Sequence, residues 1–108
     1  MNYAPILLFV YNRPGHLRQT VEALQNNVLA PQSDLFIYSD APKDESSRKA
    51  VAEVRRLIHS IAGFKSVTIT ERSENWGLAR SIIDGVTTQV NRFGRVIVLE
   101  DDLIVAPH

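Results

Sequence analysis

Residues Glu100, Asp101 and Asp102 set three carboxylates in a row between two apolar runs, 96–99 and 103–106. Two carboxylates about 4 Å apart repel by about 1 kcal/mol in water, and by about 4 kcal/mol at an effective dielectric of about 20. Three of them at a half-buried strand end are costly unless some take up protons or a cation sits among them. Carboxylate oxygens suit Mg²⁺ or Mn²⁺; Mg²⁺ takes one or two of them and completes its shell with phosphate oxygens and water. In an extended chain Glu100 and Asp102 point to one side and Asp101 to the other. One triplet can then hold a metal on one side and a hydroxyl-rich ligand, such as a ribose, on the other. A plain solvated turn is the competing explanation. The immediate return of "LIVAP" after the acids argues against it.

Something must position such a triplet, and the chain ahead of it alternates. The run "PILLFVY" (5–11) has strand length, and "HLRQTVEALQNNV" (16–28) carries Leu17, Val21, Leu24 and Val28 at helical spacing. Pro14 suits a first helical turn, where its missing N–H costs nothing. "DLFIYS" (34–39) reads as a second strand, and after "DAPKDESS" a helix carries Val51, Val54, Ile58 and Ile61, stopped by Gly63. The β-branched "SVTIT" (66–70) is a third strand. "GLARSIIDGVTTQVNRF" (77–93) follows with Ala79, Ile82, Ile83, Val86 and Val90 on one helical face, and Gly94 ends it. "RVIVLE" (95–100) is the fourth strand. This order predicts an α/β fold of three layers, with a mostly parallel four-stranded sheet between helices.

Polar clusters fall where each strand ends: Asn12 and Arg13, Asp40, then Glu71, Arg72 and Asn75, then the acidic triplet. A parallel sheet brings all its carboxyl ends to one rim, the edge where open α/β sheets bind ligands. These residues are therefore expected to converge. Each has a plainer reading as well. Arg13 and Arg80 fit solvated helix positions, Asp40 fits an ordinary turn, and Trp76 fits a packing residue beside Gly77. His16, His59 and His108 have no metal-ligand spacing.

Composition narrows the class. The chain has 108 residues, 44% hydrophobic and 22% charged, with twelve basic and twelve acidic side chains. That is one ordinary folded domain with no electrostatic footprint for nucleic acid. Cysteine is absent, which excludes disulfides and thiolate metal sites. The apolar run 4–11 is too short to span a bilayer and has no flanks of a secretory signal, so the expected compartment is the cytoplasm.

The segment "VIVLEDDLIVAP" resembles the strand and DxD-type motif of GT-A nucleotide-sugar glycosyltransferases, in the Glu-Asp-Asp form of the N-acetylglucosaminyltransferases that build N-glycan branches. "PILLFVYNRP" is similar to the first strand of the family 2 relatives, and "SENWGLARSIIDGV" to their Asn-x-Gly helix start. The resemblance runs from Pro5 to Pro107 and implies a Rossmann-like nucleotide-binding half. It implies that Asp102 ligates the Mn²⁺ or Mg²⁺ that bridges a diphosphate. Asp101 would contact the ribose or donor sugar, and Glu100 the donor sugar. Asp40 would hold the base, and Tyr11 and Arg13 would line the base and phosphate end, where Arg13 has the chemistry for phosphate. Asn75 and Arg80 would lie where the chain folds over the donor. The implied donor is a UDP-sugar and the implied acceptor a glycan or other hydroxyl compound, with peripheral membrane association open for a longer protein.

The family's acceptor site and catalytic base lie beyond the acidic motif, and the chain ends six residues after Asp102. Glu71, Glu74 and Asp84 carry no motif that would make one of them the base. The expectation is a donor-binding part of a longer transferase, inactive alone, with residues 1–108 as one nucleotide-sugar-binding domain. Two alternatives stay open: a nucleotide-sugar-binding or assembly module without turnover, and a sugar nucleotidylyltransferase-like domain, which would want a glycine-rich loop after strand 1. A dinucleotide oxidoreductase and a P-loop NTPase lack their glycine signatures here. A phosphoryl-receiver domain would want acids where Asn12 and Arg13 stand.

Overall fold

The computed structural model describes residues 3–100. Asp101 and Asp102 lie outside the described residues, as does the run that follows them. Four strands, β1 (Ile6–Val10), β2 (Asp34–Ser39), β3 (Ser66–Glu71) and β4 (Ile97–Glu100), form one sheet in the order β3-β2-β1-β4. Every pairing is parallel, with Leu8 opposite both Ile37 and Leu99. Helices α1 (Pro14–Gln25), α2 (Arg48–Ile58) and α3 (Leu78–Phe93) make the crossovers. This is the three-layer, Rossmann-like α/β architecture that the alternation predicts. No helix among the described residues is long and apolar enough to cross a membrane.

The two faces of the sheet carry different cores. Alternate residues of a strand point to opposite faces. Ile6, Leu8, Val10, Leu35 and Ile37 therefore pack with Leu17 and Val21 of α1 and with Val54 and Ile58 of α2. Leu7, Phe9, Phe36 and Tyr38 face the other way, toward Ile82, Val86 and Phe93 of α3. β1 and β2 are buried on both faces, as strands covered by two helical layers must be.

The helices begin and end for local reasons. Pro14 opens α1. Asp44 caps the short 3-10 turn that leads into α2: its Oδ1 accepts from the Ser46 hydroxyl at 2.7 Å and from the Ser47 amide at 3.1 Å. The hydroxyls of Ser46 and Ser47 hold the Asp44 carboxyl below its ordinary pKa of 3.8. Gly94, at φ 85°, closes α3 in the left-handed conformation that glycine takes at helix ends.

Three sequence expectations are corrected. α1 ends at Gln25 because Asn27 turns the chain, its Oδ1 accepting from the Leu29 amide at 2.9 Å, and Val28 is left 85% exposed. Ile61 lies beyond the end of α2, although it still packs against the first core. α3 is rotated from its apolar face: Ser81, Gly85 and Gln89 are buried, whereas Ile83 is 67% exposed. The cause is aromatic bulk. Phe9 and Tyr38 stack at 5.1 Å beneath α3, and a Cβ on Gly85 would come within 2.9 Å of Phe9. Only a bare backbone fits over that pair, and the Gln89 amide donates to the Tyr38 hydroxyl at 3.0 Å.

Candidate functional site

α1 and α2 cover one face of the sheet and α3 the other, so the crossovers change sides between β1 and β4. Open α/β sheets bind ligands at that reversal, beyond the carboxyl ends of the strands. A cleft of about 380 Å³ lies there. Tyr11, Arg13, Asp40, Asn75 and Glu100 all line it, drawn from four separate strand ends. Of the residues expected at the site, these five are brought together, and Asn12 lines the cleft with them. Arg80 is not. Its guanidinium lies 4.1 Å from the centre of the Trp76 ring and faces a different groove along α3.

Asp40 organises one wall. It follows β2 and is 8% exposed, yet its charge is fully engaged. Oδ1 accepts from the amides of Ala41 and Trp76, each at 2.9 Å. Oδ2 accepts from the Gly77 amide at 2.9 Å and from Asn75 Nδ2 at 3.3 Å. A carboxylate offers about four acceptor positions, so the chain itself fills them. In this geometry Asp40 clamps the segment entering α3. Asn75 belongs to the same clamp, its Nδ2 also donating to the Ala41 carbonyl at 2.8 Å.

Gly77 makes the clamp possible. Its φ of 80° and ψ of 155° lie in a region essentially restricted to glycine. This turn presents two successive amides, Trp76 and Gly77, to one carboxylate. It then releases the chain into α3 with no side-chain cap and no acid in the first turn.

The loop after β2 is pinned from the other side. The Lys43 amide donates to the Tyr11 hydroxyl at 2.8 Å, which joins the ends of β1 and β2. Lys43 thereby joins Arg13 on the cleft lining. Glu100, opposite Phe9 in the sheet register, is the described member of the acidic triplet and also lines the cleft.

The other strand-end polar groups turn away. Glu71 faces α2, 2.9 Å from His59 Nε2 and 3.6 Å from Arg55 Nε. Arg72 bonds Asp84 at 2.8 Å and stacks 3.8 Å from the Trp76 ring centre. Glu71 and Asp84 therefore serve ion pairs outside the cleft, and Trp76 is a packing residue. Among the described residues no group of three or more His, Cys, Asp or Glu side chains could hold a metal ion. The expected ligand, Asp102, lies outside the described residues.

Lys43, Gly77, Leu78 and Ser81 line the cleft without having been singled out in the sequence. One signal was available for Ser81. Ser81, Gly85 and Gln89 recur at four-residue spacing, which marks a helix face pressed against something bulky. Ser81 is 4% exposed, and its hydroxyl has no hydrogen-bond partner.

Comparison with known protein families, with curated proteins and with solved structures finds no match for this chain.

Proposed function

We propose that the cleft is the donor-binding site of a nucleotide-sugar glycosyltransferase, with a UDP-sugar as the favoured ligand. The observation that carries this reading is the convergence of residues from four strand ends on one cleft whose wall includes the first residue of the Glu-Asp-Asp triplet. The resemblance of "VIVLEDDLIVAP" to a GT-A motif supports it. In this reading Arg13 and Lys43 supply positive charge for phosphate, and Glu100 and Asp101 meet hydroxyls of the donor. The cation, Mn²⁺ or Mg²⁺, rests on Asp102, a role assigned from the sequence. Asp40 and Asn75 shape the wall rather than hold the base.

A second reading, binding without turnover, is favoured by the state of the acids. Among the described residues Asp40 and Glu100 are the acids that line the cleft, and the acceptor positions of Asp40 are taken by four donors. Calorimetry with UDP, with Mn²⁺ and with EDTA, tests the shared premise. Mn²⁺ should tighten UDP binding at least about tenfold, whereas equal affinity in EDTA rejects the metal-bridged donor. Assay against nucleotide sugars and glycan acceptors then separates the two readings. We expect no transfer above background from these 108 residues.

A further inference from the structure

We propose that the amino end of α3 is an anion subsite of this cleft, which receives a phosphate or diphosphate group directly on backbone amides without a cation. The inference rests on the donor-site reading of the cleft and deepens it by naming which wall takes the negative charge.

The first observation is an uncapped helix. The amides of the first turn of an α-helix have no acceptor within the helix. In α3 the first such bond is made by Ser81, whose amide donates to the Gly77 carbonyl at 3.1 Å. Gly77 has no side chain to cap the amides of Leu78, Ala79 and Arg80, and the turn contains no acid. The neighbouring amides of Trp76 and Gly77 are satisfied by Asp40, so the open donors begin one residue later. With sixteen residues, α3 is long enough for its aligned peptide dipoles to favour an anion at this end.

The second observation is independent. Ser81 lines the same cleft, is 4% exposed, and its hydroxyl is without a partner. Side chains on a helix tilt toward its amino end, so a residue in the fourth helical position leans over the first turn. A buried hydroxyl is normally bonded. Here the group that would complete it is one that also accepts from the open amides.

Two cationic side chains stand at the site. Arg13 and Lys43 line the cleft, and of the two acids that line it among the described residues, Asp40 has its acceptor positions taken by four donors. Backbone amides bind an anion with no metal, so this subsite does not depend on a cation at the acidic triplet.

The test uses pyrophosphate in EDTA, followed by amide NMR on the 108-residue chain. The amides of Leu78, Ala79, Arg80 and Ser81 should shift saturably, and less so as salt rises. Ser81→Ala removes a hydroxyl that bonds nothing, so the fold is kept and pyrophosphate should bind several-fold more weakly. Replacing Arg13 and Lys43 together with Gln should weaken it further and flatten the salt dependence. UDP should shift the same amides at lower concentration than pyrophosphate. If pyrophosphate binds there but UDP binds no better, the subsite stands and the nucleotide reading fails. If UDP binds with Mn²⁺ while these amides stay silent to both ligands, the subsite is overturned and the nucleotide reading stands. Silence to both ligands under every condition overturns both.

Discussion

The Asp40 carboxylate and the Gly77 amide meet at 2.9 Å across 37 residues of sequence. This contact ties the carboxyl end of β2 to the start of α3. With the Trp76 bond beside it, it sets the wall of the cleft. Asp40→Asn keeps the shape but puts an amide NH₂ against N–H donors. Hydrogen bonds to a charged group contribute about 1.5–3 kcal/mol each way they are lost. We expect a loss of about 2–3 kcal/mol in urea unfolding, and weaker ligand binding. Gly77→Ala should cost about 1–3 kcal/mol through backbone strain. Unchanged stability in both variants would mean that the clamp is not formed in solution.

The rotation of α3 gives a paired prediction. Gly85→Ala adds a methyl 2.9 Å from Phe9 and 3.1 Å from Tyr38. Overpacking costs about 1–3 kcal/mol, of which better helix propensity returns at most about 1. Ile83→Ala, at an exposed position, should stay within about 0.5 kcal/mol of the parent. Denaturant melts of the two variants check the register of the helix. The reverse order would turn α3 back to its apolar face.

Asp44 titrates below 3.8 because the hydroxyls of Ser46 and Ser47 donate to its charged form. A carboxyl depressed on folding contributes stability above its unfolded pKa, and that contribution fades as pH falls through the folded value. An NMR titration should place the Asp44 midpoint below 3.8, and Ser46→Ala should move it upward. A midpoint at or above 3.8 in the parent would contradict the cap.

Asp102→Asn tests the cation. Removing one charge from the triplet relieves repulsion with Glu100 and Asp101, so folding should be kept or slightly improved without metal. The Mn²⁺-dependent part of UDP affinity should fall by about tenfold or more, as expected when a hard cation loses an anionic ligand. Calorimetry measures it, and parent-like binding would move the metal elsewhere.

The sequence carries the elements well and the fine positioning less so. The buried strands are legible in "PILLFVY" and "DLFIYS" because strands covered on both faces are apolar throughout. Alternation alone then puts Tyr11, Arg13, Asp40, Asn75 and Glu100 on one rim. The periodicity misleads at Val28, where Asn27 ends the helix through a side-chain bond that hydropathy does not register. It misleads at Ile83 because the space beneath α3 is set by the Phe9–Tyr38 pair on two other elements. The use of Asp40 was hidden for a related reason. Its partners are mostly backbone amides, which every sequence has, 36 and 37 residues away. Arg80 was placed by its position in a motif, but a flat aromatic neighbour outcompetes the cleft for a guanidinium.

The long span between Asp40 and Gly77 also governs when the cleft exists. β1, α1 and β2 can associate early, since they are neighbours in sequence, but they supply only part of its lining. The remainder arrives once the chain has run through α2 and β3, closed a loop of 37 residues and added β4 with Glu100. Contacts of such separation form late, because the entropy of loop closure comes before their reward. Binding competence is therefore a property of the fully assembled domain. By linkage, a ligand that occupies the cleft stabilises the whole molecule, and the melting temperature rises with its concentration. The amides of Trp76 and Gly77 lie in a loop, yet their bonds to Asp40 should slow their exchange with solvent relative to the other loop amides.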